Sequence, residues 1–121
     1  MDKIWRKLNE FIRKITTRKS ASGRSGGYKT TTIDSTYHST ADEFYIGVTS
    51  EKPVTVYLPA AVPDGKIIII KAEMRPPMGS RKVNVATTDG SKIDGYTETS
   101  ITVSHGCLIV IRNRGEWFII S

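Results

Sequence analysis

The residues able to do acid–base or covalent chemistry are few, and their spacing decides what they can do. His105 and Cys107 stand two apart, the spacing that puts two side chains on one face of a strand and superficially suggests a base beside a thiol. Same-face placement alone does not supply base-to-nucleophile geometry. His105 also fits better in a turn with Gly106, which leaves Cys107 as a small buried core residue. Asp89 and Asp94 are the nearest approach to a carboxylate pair, yet each precedes a glycine, and turn geometry explains them more simply. The Ser22-Gly23-Arg24-Ser25-Gly26-Gly27 stretch is glycine-rich but lacks the strand–loop–helix setting of a phosphate cradle. Cys107 is the single cysteine, so an internal disulfide is excluded, and no neighbouring residues give zinc-ligand spacing. The expectation is a protein that is not an enzyme and needs no cofactor or metal.

The elements around these residues form two unlike segments. Of 121 residues, 38% are hydrophobic and 8% aromatic, enough for one small domain that gains from a partner subunit. No apolar run approaches the ~20 residues that cross a bilayer, and Lys and Arg interrupt the N-terminus where a secretory signal is uncharged. Residues 1–24 hold eight basic side chains against Asp2 and Glu10, a net +6; from residue 25 onward ten basic groups meet ten acidic ones. All of the charge asymmetry lies in the first fifth of the chain.

Within residues 1–19, the stretch 3–15 reads as an amphipathic helix. Ile4, Trp5, Leu8, Phe11, Ile12 and Ile15 fall on one apolar stripe, with Arg6, Lys7, Arg13 and Lys14 on the other side. Asp2 suits the N-terminal end of the helix dipole, and Arg18 and Lys19 suit its C-terminal end. Isolated helices of this length are marginal in water, so the stripe needs something to dock on. Residues 20–27 (SASGRSGG) read as a flexible linker.

Residues 28–121 change to strand patterning. Thr30–Ile33, Phe44–Val48, Val54–Leu58, Lys66–Ala72, Lys82–Ala86, Ser100–Val103, Cys107–Ile111 and Glu116–Ile120 are β-prone runs separated by Gly, Pro and Asp punctuation. Lys66–Ala72 is an almost continuous apolar run, the mark of a buried strand. Leu58-Pro59 ends a strand because proline lacks the donor a ladder requires. Gly65, Gly90, Gly95 and Gly115 sit where turns call for positive φ. Asp94 is placed to bond its own downstream backbone, and Trp117 to fill the core or a subunit contact. The fold expected is all-β: a compact antiparallel sandwich, barrel or prism-like domain, preceded by the amphipathic helix and linker.

From Val54 to Ile120, a little over half of the chain, the order of these pieces resembles small β-domains of tailed-bacteriophage virion proteins, of the head-fibre, spike-base and tail-fibre type. The resemblance is carried by Val54-Thr55-Val56-Tyr57-Leu58-Pro59, Gly65 before Ile67–Lys71, Asp89-Gly90, Ile93-Asp94-Gly95, Gly106, and Gly115-Glu116-Trp117. It departs at Met74–Met78, where two prolines replace a glycine-centred turn. The resemblance implies a virion structural protein that self-associates, most often as a trimer, and it brings no catalytic residues.

On this reading the basic helix attaches the protein to a capsid or other virion protein. Packing on its own β-domain and pairing with copies of itself are alternatives. An anionic membrane or nucleic acid fits less well, because phosphates reward charge and leave Ile and Phe unburied.

Overall fold

A computed structural model describes residues 29–121. The amphipathic helix and its linker lie outside the described residues.

Among the described residues nine strands form, in chain order: β1 (Lys29–Ile33), β2 (Tyr37–His38), β3 (Glu43–Val48), β4 (Val54–Leu58), β5 (Ile67–Ala72), β6 (Val83–Thr87), β7 (Glu98–Ile101), β8 (Cys107–Asn113) and β9 (Glu116–Ile119). They make two sheets, one ordered β1-β3-β5-β8-β9 and the other β2-β4-β6-β7. The all-β expectation holds, and eight of the nine strands fall on the runs read from sequence. The two-residue β2 is the addition.

The antiparallel expectation is corrected. β1, β3 and β5 run parallel, as do β2, β4 and β6, and only the pairs β5–β8, β8–β9 and β6–β7 are antiparallel. Parallel neighbours need a crossover. Here the crossover is a strand of the opposite sheet, so the chain alternates between sheets through β6 and stacks as turns of a flattened coil. Thr31 lies beside Ile46 and Ile46 beside Ile70 in one sheet, while Tyr37 lies beside Val56 and Val56 beside Val85 in the other. Turn chemistry marks where strands stop, and it does not say which sheet the next strand joins.

Strand alternation sends Ile46, Val48, Ile68, Ile70, Leu108 and Val110 from one sheet against Val54, Val56, Leu58, Val83, Val85 and Ile101 from the other, forming one buried core. Trp117 is fully buried within it. Glu43 and Phe44 sit at a register shift in the β1–β3 pairing. There Glu43 is fully buried; it accepts a 2.8 Å hydrogen bond from Thr31 Oγ1 and lies 3.5 Å from Lys29 Nζ.

Two tight turns have the chemistry their sequence announces. Asp94-Gly95 (φ 50° and 86°) and Arg114-Gly115 (φ 53° and 74°) both have positive φ at the two central positions, the type I′ signature. Gly65 and Gly90 also have positive φ. The expected local bond of Asp94 is corrected: its Oδ1 accepts from the Ile119 amide at 3.0 Å, and its own amide donates to the Trp117 carbonyl at 2.9 Å. The turn is therefore docked along the edge of β9. The proline loop contains a cis Pro76–Pro77 bond, and Arg81 gathers it by donating to the carbonyls of Arg75 and Pro77 at 2.6 Å each.

Candidate functional site: the outer face of the five-stranded sheet

The two sheets differ on their outer faces. Residues of the four-stranded sheet that alternate away from the core are Thr55, Tyr57, Asn84, Ala86, Glu98 and Ser100, a solvent-type set in which Tyr57 stacks on His38 at 4.4 Å between ring centroids. The five-stranded sheet instead carries a second apolar cluster on its outer side. Ile67, Ile69 and Ile109 form its centre, with half-buried Phe44, Tyr45, Ile111 and Ile120 around them. Phe118, opposite Ile111 in register, continues it onto β9. On β1 the outward positions are the exposed Thr30 and Thr32, so the apolar band runs over β3, β5, β8 and β9.

This band arises because β5 and β8 are apolar in both phases of the alternation: Ile67–Ile70 and Leu108–Ile111 supply isoleucine, leucine or valine at every position. Such strands belong to sheets covered on both faces. The sequence reading flags Lys66–Ala72 as buried but does not extend the inference to a covered outer face. That continuity was the signal by which the missed residues could be found.

One rim of the band is polar. Glu73 folds over Gly47 and accepts a hydrogen bond from the Tyr45 hydroxyl; burial first, then Glu73, raises the Tyr45 pKa. Lys71 Nζ donates to the His105 carbonyl at 2.9 Å. Cys107 is exposed at this rim, correcting the expectation of a buried core cysteine, and partial burial of its thiol pushes the pKa up. The reason is position: Cys107 is the first residue of β8, where alternation turns it outward beyond the core. A raised pKa and the outward-lying Lys71 do not make an activated thiolate. His105 occupies the turn, as read from sequence, with φ 60°.

The other sequence-marked positions are structural. Leu58 is buried at the end of β4, and Pro59 follows it. Gly106 admits no side chain, since a Cβ there would meet Ile101 Cγ2 at 2.7 Å and the Val103 carbonyl oxygen at 2.8 Å. Asp89 does more than form a turn. It accepts from Ser91 and pairs with Arg112 Nη2 at 3.3 Å, and these contacts, the Ser91 hydroxyl foremost, lower its pKa. Sequence reasoning missed Arg112 because an arginine at an inward strand position is recognisable only once the register is known.

A shallow depression of about 400 Å³ lies among the corner loops, lined by Asp34–Thr36 and Thr49–Val54. Among the described residues no group of three His, Cys, Asp or Glu side chains could hold a metal ion, and no helix is long and apolar enough to cross a membrane. The particle-docking residues expected at Ile4, Trp5, Arg6, Lys7, Leu8, Phe11, Ile12, Arg13, Lys14 and Ile15 lie outside the described residues. No protein-family model matches the chain, and no curated protein matches it.

Proposed function

We propose that the chain is a non-catalytic structural component of a tailed-phage virion: a decoration, cement, head-fibre-base or tail-fibre-type protein. Its β-domain forms the displayed, self-associating body, as a trimer, and its N-terminal segment is the attachment arm. The observation that carries this reading is the partition of charge and pattern. A net +6 and an amphipathic stripe are concentrated in residues 1–24, and the electrically balanced remainder folds into a two-sheet body. An arm of that kind is drawn to an acidic protein shell by charge and adds apolar contacts once there. The SASGRSGG linker lets an oligomer meet an attachment site of different symmetry. The strand and turn series from Val54 to Ile120 supports the virion assignment through the resemblance it carries.

The test is co-sedimentation of the full chain with phage particles assembled in its absence. A Trp5→Ala/Phe11→Ala variant should stay in the supernatant with its β-domain folded. Normal incorporation of that variant overturns the attachment role. Light scattering of the purified chain reads the oligomer number.

A further inference from the structure

We propose that, in the protein free of any particle, the apolar outer face of the five-stranded sheet is the seat of the chain's own N-terminal stripe, so that residues 3–15 form a third layer over β5 and β8. Ile67, Ile69 and Ile109 at its centre, flanked by Ile111 and Ile120, make this a core-type surface. The outer face of the other sheet, by contrast, is polar. A sheet face built this way requires a covering layer.

The occupant follows from what lies next in the chain. The described residues start at Lys29, the first residue of β1, which belongs to this same sheet and lies two strands from β5. Helix 3–15 would be about 20 Å long at ~1.5 Å per residue. The six residues of β5 and seven of β8 span about 20–23 Å at ~3.3 Å each. Residues 16–28 reach up to roughly 45 Å at full extension, against about 10 Å from β1 to β5, so the connection is unstrained. Both surfaces lack a polar alternative: six apolar side chains on one stripe meet one apolar band. Joining them within one chain satisfies both at the millimolar-scale effective concentration of a short tether. Pairing the band with a second copy's band would leave the stripe of the unattached protein in water.

In this arrangement Lys3, Arg6, Lys7, Arg13 and Lys14 face outward, so contact with an acidic surface begins through charge, before the stripe exchanges the sheet for the shell. The inference stands on the sheet face and not on the attachment role, whose test is sedimentation with particles, and the two fail separately.

Cys107, exposed at the rim of the band, supplies the probe site. A nitroxide on Cys107 of the full, ¹⁵N-labelled chain should broaden the amide signals of residues 3–15. The broadening should vanish in Ile109→Lys, whose retained Trp117 signal reports an intact core. It should also be absent when nitroxide-bearing chains without ¹⁵N are mixed with ¹⁵N chains carrying Cys107→Ser. No broadening in the single-chain sample, or equal broadening in the mixed one, overturns the proposal; the second result would assign the face to a neighbouring copy's arm.

Discussion

Arg112 and Trp117 are paired across β8 and β9, and the guanidinium carbon of Arg112 lies 5.3 Å from the centroid of the Trp117 ring. Arg112 is 7% exposed and Trp117 fully buried, so this cation sits over an aromatic face at the boundary of the core while its terminal nitrogens donate to Ser91 and Asp89. Desolvation strengthens such contacts and also makes each partner costly to remove. Trp117→Ala should lower stability by about 3–5 kcal/mol. Asp89→Ala should cost about 1.5–3 kcal/mol by leaving Arg112 without its charged acceptor. Urea titration followed by far-UV circular dichroism checks both; a Trp117→Ala chain as stable as the parent would remove Trp117 from the centre of the core.

Acid stability should depend on Asp89. Its pKa lies below the ordinary value of about 3.9 because Ser91 and Arg112 stabilise the carboxylate. A depressed folded-state pKa gives stability that is complete above the unfolded value and lost as pH falls through the folded one. The parent chain should therefore lose stability below about pH 4, and Asp89→Asn should start lower and decline less steeply there. Parallel acid limbs in the two proteins would show that Asp89 has no such linkage.

At the alkaline end, Tyr37 is pushed up to about 12, first by the Glu43 carboxylate and then by burial. A raised folded-state pKa contributes stability fully present below the unfolded value of about 10 and lost as pH rises through the folded one. Stability should fall between about pH 10 and 12, and Tyr37→Phe should flatten some of that fall. Tyr45, raised as well, keeps the remainder. The difference in phenolate absorbance between the parent and Tyr37→Phe or Tyr45→Phe during an alkaline titration isolates each residue among the five tyrosines.

Two glycines with similarly close neighbours should respond differently to alanine. At Gly106 the added carbon meets the Val103 backbone oxygen at 2.8 Å, and backbone cannot step aside; overpacking of this kind costs about 1–3 kcal/mol. At Gly47 it meets only the Glu73 carboxylate, at 2.6 Å, the far end of a flexible side chain. Gly47→Ala should displace Glu73 from Tyr45 and lower the tyrosine's pKa with little loss of stability. Thermal melts of the two variants, with the Tyr45 titration, separate these outcomes.

The attachment role proposed for residues 1–20 predicts weaker binding to anionic liposomes and DNA than to particles. Flotation with phosphatidylserine vesicles and DNA retention, each with and without residues 1–20, measure this. DNA retention that falls steeply with salt, tighter than particle binding, would move the function to phosphate recognition.

Much of this architecture is legible from single residues. Leu58-Pro59, Asp94-Gly95 and Arg114-Gly115 mark strand ends and turns because their backbone restrictions are local. Sheet membership is not local, which is why parallel winding escapes the sequence: the crossover from β3 to β5 runs through Val54–Leu58, itself an ordinary strand by pattern. The outer apolar face is half-legible, since Ile67–Ile70 announces burial on two sides without naming what covers the second. Arg112 is illegible, because its inward phase and its approach to Asp89 depend on register.

The winding also settles where a mechanical load enters the fold. The described residues begin at β1, which among them hydrogen-bonds to one neighbouring strand, β3, whereas β5 is held on both sides by β3 and β8. A pull on the chain at Lys29 is therefore borne first by the single ladder from Lys29–Glu43 to Ile33–Val48. Drawn along the strand, these pairs must slide together; drawn away from the sheet, they open in succession like a zip. Resistance of the first strand thus depends on the direction of the pull.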